Sequence, residues 1–286
     1  MINETFGKRL RGLTDARGPL CVGIDPHPGL LAQWGLPDDV TGLERFAETV
    51  VEALADRVAV LKPQSAFFER FGSAGVAVLE RVIAQSRTGG ALTIVDAKRG
   101  DIGSTMAAYA QAYVGAGSPL AGDAVTVSPY LGFESLRPLL DLAAETGRGV
   151  FVLALTSNPE GAQVQHARGE DGRTVAQTVI DAAAAANAGA EPLGSVGVVV
   201  GATVRGVGRE HVFTGLNGPL LAPGIGAQGA TAADLQAVFG DALGDVLPSS
   251  SREVLAGGPS IGGLRAAAER ALDAVGAVLG TPAKSV

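Results

Sequence analysis

The chain has 286 residues, 47% of them hydrophobic and 18% charged, with a formal net charge of −7. That length and apolar content suit one large α/β unit and exclude a disordered chain. The acidic balance argues against nucleic acid or an anionic membrane as the main partner, yet permits a locally positive pocket for a small anion.

The first residues, MINETFGKRLRGLTDARG, lack the apolar centre of a signal peptide. Apolar runs such as GVFVLALT fall far short of the ~20 residues a membrane helix needs. A cytoplasmic protein is therefore expected. The single cysteine, Cys21, excludes an intramolecular disulfide and a thiolate zinc cluster, and reads as a core residue.

Short β-branched runs alternate with alanine-rich helical stretches. The predicted strands are 19–25, 57–63, 91–98, 122–128, 149–156, 195–201, 219–224 and 244–250. Helices are expected at 3–16, 40–56, 64–87, 103–116, 133–146, 173–188, 231–239 and 259–279, with a short one near 205–213. Strands that are apolar on every position imply a parallel sheet covered on both faces. Eight such units predict a (β/α)8 TIM barrel, a single domain over 1–286 with helix 3–16 closing its bottom. A doubly wound sheet is the alternative, but no G-x-G-x-x-G follows the first strand. Residues 157–172, SNPEGAQVQHARGEDG, read as a structureless stretch of lid length.

Active sites of such barrels lie at the C-terminal ends of the strands. Those ends carry Asp25, Lys62, Asp96 with Lys98, Thr126 with Ser128, Thr156 with Ser157, and Thr203. The chain has only four lysines, and two of them, Lys62 and Lys98, follow apolar runs where lysine is normally avoided. Asp96 and Lys98, two apart, share one face of a strand. Alone they could be a structural ion pair, and Asp101 alone could be a helix N-cap. With Asp25 and Lys62 converging, a reactive array fits better. Carboxylates around a lysine favour its ammonium form, which suits a general acid and not a Schiff-base nucleophile.

The glycine-rich APGIGAQGA, residues 222–230, together with Gln228 and Arg252, predicts a phosphate site after the last two strands. His27, His166 and His211 share no metal-ligand spacing, and His27 reads as a turn residue. Asp96 and Asp101 could in principle hold Mg²⁺, but Lys98 between them offsets their charge. No metal is expected.

The motifs GIDPHP, LKPQ, DAKRGDIGST, LTSNPEG, APGIGAQG and SSSRE resemble those of the orotidine 5′-phosphate decarboxylases, in their longer bacterial branch. The resemblance spans about residues 20 to 265. It implies conversion of orotidine 5′-monophosphate to UMP and CO2, the last step of de novo pyrimidine synthesis, with no metal or organic cofactor. It further implies that Lys98 protonates C6 and that Asp96 lies beside the departing carboxylate. Lys62 and Asp25 would hold ribose hydroxyls, Ser157 would contact the pyrimidine, and Gln228 would bridge base and phosphate. Arg252 would grip the phosphate, and Asp101 and Thr105 would enter the neighbouring subunit's site in a homodimer. The chain departs from the family pattern after the eighth strand, where three serines precede Arg252 in place of a glycine. Two rivals are a Mg²⁺-dependent sugar-phosphate enzyme of the same superfamily, which would carry an acid where Lys62 stands, and a catalytically silent nucleotide-binding protein.

Overall fold

The computed structural model describes residues 4–202, 211–224 and 232–279. Eight parallel strands pair in chain order: β1 (Cys21–Ile24), β2 (Val60–Pro63), β3 (Leu92–Arg99), β4 (Ala124–Val127), β5 (Gly149–Leu155), β6 (Val196–Val200), β7 (Leu220–Pro223) and β8 (Val246–Ser250). β8 returns to β1, with Cys21 opposite Ser249, so the sheet closes. The architecture is a TIM barrel.

Strand alternation sorts the apolar side chains into two cores. Cys21, Val60, Ile94, Ala124, Phe151, Val199, Leu221 and Leu247 fill the interior. Their neighbours Val22, Leu61, Val95, Val125, Val152, Val198, Leu220 and Val246 belong to the core that includes the helices. This double burial is why each strand is apolar throughout. Helix α1 (Phe6–Arg17) sends Phe6 and Leu10 into the interior core, where Phe6 meets Phe151 edge-on at 5.9 Å.

The interior layer alternates upward. Two residues beyond Val60, Ile94, Ala124 and Leu247 come Lys62, Asp96, Thr126 and Ser249, all buried polar groups. The apolar filling therefore ends, and a charged layer begins, one step from the C-terminal rim.

Several elements depart from the sequence reading. A short helix α2 (Pro28–Gln33) was not foreseen; it is capped by His27, whose Nδ1 accepts from Gly29 N at 3.1 Å. After α3 (Val40–Leu54), the stretch expected as one helix over 64–87 is split into α4 (Ser65–Glu69) and α5 (Gly72–Gly89), because Gly72 has a φ of 61°. Helix α6 is Gly103–Val114, and the 133–146 helix is a 3-10 turn followed by α7 (Arg137–Glu145), with a proline in its first turn. Residues 157–172 are not structureless: they hold a 3-10 turn at Pro159–Gly161 and α8 (Ala162–Gln165). Gln165 folds back on Thr156, accepting from its amide at 2.9 Å and donating to its hydroxyl at 2.7 Å. Helices α9 (Val175–Ala186), α10 (Ala232–Phe239), α11 (Arg252–Leu255) and α12 (Ile261–Leu279) complete the set. Most of the helix expected near 205–213 lies outside the described residues, and 211–213 are not helical. No described helix is long and apolar enough to cross a membrane.

Candidate active site

A cavity of about 770 Å³ opens at the C-terminal ends of the strands. Asp25, Lys62, Asp96, Lys98, Ser157 and Arg252 all line it, as does Thr126. Gln228 and Thr203 lie outside the described residues.

Asp96 is the hub. Lys62 Nζ donates to its Oδ2 at 2.8 Å, while Lys98 Nζ at 2.5 Å and Thr126 Oγ1 at 2.8 Å both donate to Oδ1. Burial alone would push the Asp96 carboxyl up, but the Lys62 and Lys98 ammoniums more than reverse this and hold it well below the usual carboxylate range. Lys62 shows the mirror balance: burial pulls its ammonium down, and Asp96, then Asp25, outweigh it, so its pKa is raised. Beneath them, burial pushes the Cys21 thiol up to about 12, so it stays a neutral core thiol.

The two lysines differ in freedom. The Lys62 side chain is 7% exposed, that of Lys98 43%. Lys62 is a fixed internal charge, whereas Lys98 faces the open cavity. Asp25 differs again: its Oδ1 is buried and has no hydrogen-bond partner among the described residues. A buried carboxylate oxygen without a donor is costly, and a ligand hydroxyl could supply one. The strand below Asp25 must approach the β8 turn closely, since a Cβ on Gly23 would lie 1.9 Å from Ser251 Oγ. Any side chain at Gly23 would require Ser251 to move.

Plain strand alternation does not account for Lys98. β3 is irregular between Val95, opposite Val125, and Arg99, opposite Val127. Lys98 itself has a φ of 50°, in the left-handed region that costs a non-glycine residue of order 1–3 kcal/mol. Asp96 and Lys98 do meet, but through a bulge that turns the lysine back.

Asp101 and Thr105 do not line the cavity. Asp101 is not an N-cap either: its Oδ1 accepts from the next residue, Ile102 N, at 2.8 Å, while Ile102 occupies the cap position of α6 without a side-chain bond. Ser128, grouped with Thr126 in the sequence, also stays out of the lining, its amide donating to Arg99 O at 2.8 Å. Among the described residues, no three metal-ligating side chains come together.

A family model described as "Orotidine 5'-phosphate decarboxylase / HUMPS family" matches residues 18–257. The chain belongs to the orotidine 5′-phosphate decarboxylase family. A relative named orotidine 5'-phosphate decarboxylase, from Salinispora arenicola, is 69% identical over 269 residues, covering 94% of this chain and 96% of its own. Another of that name, from Streptomyces coelicolor, is 65% identical over 267 residues, 93% of this chain and 95% of its own. A crystal structure of a candidate decarboxylase from Streptomyces avermitilis superposes with a TM-score of 0.95 at 62% identity, covering 98% of both chains. The Leishmania donovani OMP decarboxylase superposes at 0.77 with 30% identity, covering 96% of this chain and 99% of that one.

Sequence reasoning gave no role to three residues that shape this family site. Thr126 was seen only as a polar strand end. Gln64, whose Nε2 donates to Asp96 O at 3.3 Å, and Arg99, whose Nη1 donates to Ala97 O at 3.1 Å, passed unremarked. Arg99 lies inside DAKRGD and Gln64 closes LKPQ, so their motifs carried a signal, whereas Thr126 had only its place near the end of an apolar run.

Proposed function

We infer that the barrel mouth decarboxylates orotidine 5′-monophosphate, giving UMP and CO2, and that Lys98 supplies the proton C6 receives. The carrying observation is the Asp96–Lys98 pair: an ammonium on a half-exposed stem, held at 2.5 Å by a buried carboxylate. As the C6–carboxylate bond breaks, its electron pair stays on C6 and CO2 leaves. The Lys98 ammonium, adjacent to that carbon, stabilises the developing charge and then forms the C6–H bond. Solvent reprotonates the amine. Asp96, kept anionic beside the substrate carboxylate, and Lys62 complete the charge array.

In this reading Asp25 and Lys62 take ribose hydroxyls, and Ser157 meets the pyrimidine. Arg252 takes the phosphate; its side chain makes no hydrogen bond or ion pair among the described residues, and the residue lines the cavity. Gln228 would bridge base and phosphate. Binding energy from the phosphate, remote from C6, would close residues 157–172 over the site and order the charges. Residues 1–286 act as one barrel unit with α1 as its floor, in the cytoplasm.

Asp101 and Thr105 would serve the site of a second copy. Their neighbourhood supports this: Ile102 is 61% exposed, Tyr130 78% and Leu131 54%, an apolar patch beside the β3 and β4 ends. If sites are shared, mixed dimers of Lys98→Ala and Asp101→Ala chains recover activity that neither parent has; isolated heterodimers with none would refute the sharing.

The direct test follows orotidine 5′-monophosphate absorbance on adding purified protein with EDTA. Turnover is expected, together with its near-abolition in Lys98→Ala. A folded Lys98→Ala chain with undiminished rate, or activity that EDTA removes and Mg²⁺ restores, would overturn the mechanism.

A further inference from the structure

Lys98 and Asn217 are the only described non-glycine residues with positive φ, and Lys98 is the proposed acid. In a regular strand, Lys98 would sit roughly 6–7 Å beyond Asp96 along the strand axis, its stem parallel to that of the aspartate. The bulge folds it back instead, so that Nζ reaches Asp96 Oδ1. A left-handed lysine persists only where its surroundings hold it.

One side chain bonded to that turn is Thr126, on the inward face of β4 and 1% exposed. Its hydroxyl oxygen accepts from Lys98 N at 3.0 Å and lies 2.8 Å from Asp96 Oδ1. A hydroxyl has one proton. With its oxygen accepting from Lys98 N–H, that proton is left to donate to the carboxylate, which is anionic. The result is a closed ring: Lys98 N–H to Thr126 Oγ1, Thr126 O–H to Asp96 Oδ1, and Lys98 Nζ–H to the same oxygen. One hydroxyl therefore ties the backbone of the lysine to the anchor of its own ammonium.

Arg99 holds the same turn from the helix side. Its guanidinium donates to Ala97 O and to Tyr113 OH at 3.1 and 3.0 Å, and pairs with Glu69. Glu69 also accepts from the buried Ser65 hydroxyl at 2.5 Å, which locks the arginine to α4.

We propose that Thr126 is a positioning residue for the proton donor, with Arg99 as its counterpart on the outer face. This rests on the reading of Lys98 as the acid. Thr126 acts by fixing where the ammonium stands and not by touching the reacting carbon. A misplacement of about 1 Å at a reacting centre can cost on the order of a hundredfold in rate.

The test compares Thr126→Val, which keeps the shape and loses the hydroxyl, with Thr126→Ser, which keeps the hydroxyl. Steady-state rates are measured for both, for Lys98→Ala and for the Thr126→Val/Lys98→Ala double variant, along with UMP affinity. Thr126→Val is expected to lose kcat by about 100-fold with KM and UMP affinity nearly unchanged, and Thr126→Ser to stay close to wild type. The double variant should lose no more than Lys98→Ala alone, since Thr126 acts through the lysine. If Thr126→Val does not fold, Arg99→Lys carries the test: it keeps the charge, and should lower kcat about tenfold by loosening the same turn without weakening UMP binding. Full kcat in the folded variants beside an inactive Lys98→Ala would overturn the positioning role and leave the decarboxylase mechanism standing. An active Lys98→Ala would instead remove the mechanism itself. A Thr126→Ser as slow as Thr126→Val would show that the hydroxyl is not the operative group.

Discussion

Two buried carboxylates stand at opposite ends of neighbouring strands, and they are paired in opposite styles. Asp123, just before β4 at the barrel floor, accepts from Thr93 N at 2.9 Å and is bridged by Arg9, whose other nitrogen holds Gly147 O at 3.0 Å. Arg87 and Arg148 peg the adjacent carbonyls of Ala121 and Gly122. Asp96, at the mouth end of β3, has two lysines and a hydroxyl instead. A guanidinium is a rigid fork that can fix two acceptors at once, while an ammonium is a point charge on a flexible stem. The floor uses arginine to lock backbone. On the proposed mechanism, the mouth uses lysine because one of its charges moves a proton.

The comparison can be broken most sharply by paired substitutions. Lys98→Ala is expected to lower the decarboxylation rate by up to roughly 10⁴-fold with little change in unfolding midpoint, because Asp96 keeps Lys62 and Thr126. Arg9→Ala should do the reverse. It leaves a buried carboxylate without its guanidinium, at a cost of about 2–3 kcal/mol, below the 3–5 typical of fully buried pairs because the Arg9 side chain is 27% exposed. The midpoint should fall by roughly 5–10 °C with kcat unchanged. Comparable loss of activity in both variants would erase the distinction.

Asp25 sharpens the contrast within the mouth. Among the described residues its Oδ1 has no donor, unlike every carboxylate oxygen of Asp123 and Asp96. A hydrogen bond to a charged group contributes about 1.5–3 kcal/mol, so Asp25→Ala should weaken UMP binding by roughly 10- to 100-fold. The unliganded protein should change little in stability, since removing the orphan oxygen offsets the carboxylate Lys62 loses. Calorimetric titration with UMP and a thermal melt check the two halves.

How much of this was legible in the sequence follows from the same physics. Strands buried on both faces announce themselves, so all eight were found, with ends within a few residues. Lys62 and Asp96 were legible because charge in an apolar run is costly and therefore conspicuous. The turn at Lys98 was not, because nothing local distinguishes a bulge from an extended strand; β4 imposes it through Thr126, 28 residues away in sequence. The break between α4 and α5 had a signal in Phe71–Gly72, but the alanines on both sides, Ala66 and Ala74, masked it. Asp101 had the sequence position of a cap, and only the backbone at Ile102 shows otherwise. Long-range partners decide what local propensity leaves open.

The finest test reads the mouth's charges by pH. Asp96 has a lowered folded pKa, so its contribution to stability is fully present above the unfolded value of about 3.9 and is lost as pH falls through the folded value. Lys62 has a raised one, so its contribution is fully present below about 10.4 and is lost as pH rises through the folded value. Asp96→Asn should therefore flatten the acid limb of the stability profile by up to one proton, about 1.4 kcal/mol per pH unit. The alkaline limb should respond more tellingly. Without Asp96, burial, the largest single influence on Lys62, is expected to outweigh what Asp25 supplies and to bring the Lys62 pKa below its unfolded value. The charged lysine is then a penalty that deprotonation relieves. The Lys62 contribution should thus rise with pH where that of the wild type falls, and denaturant unfolding at pH 8–11 reads the sign directly. An alkaline limb in Asp96→Asn that falls as in the wild type would mean that Asp96 is not what keeps Lys62 charged.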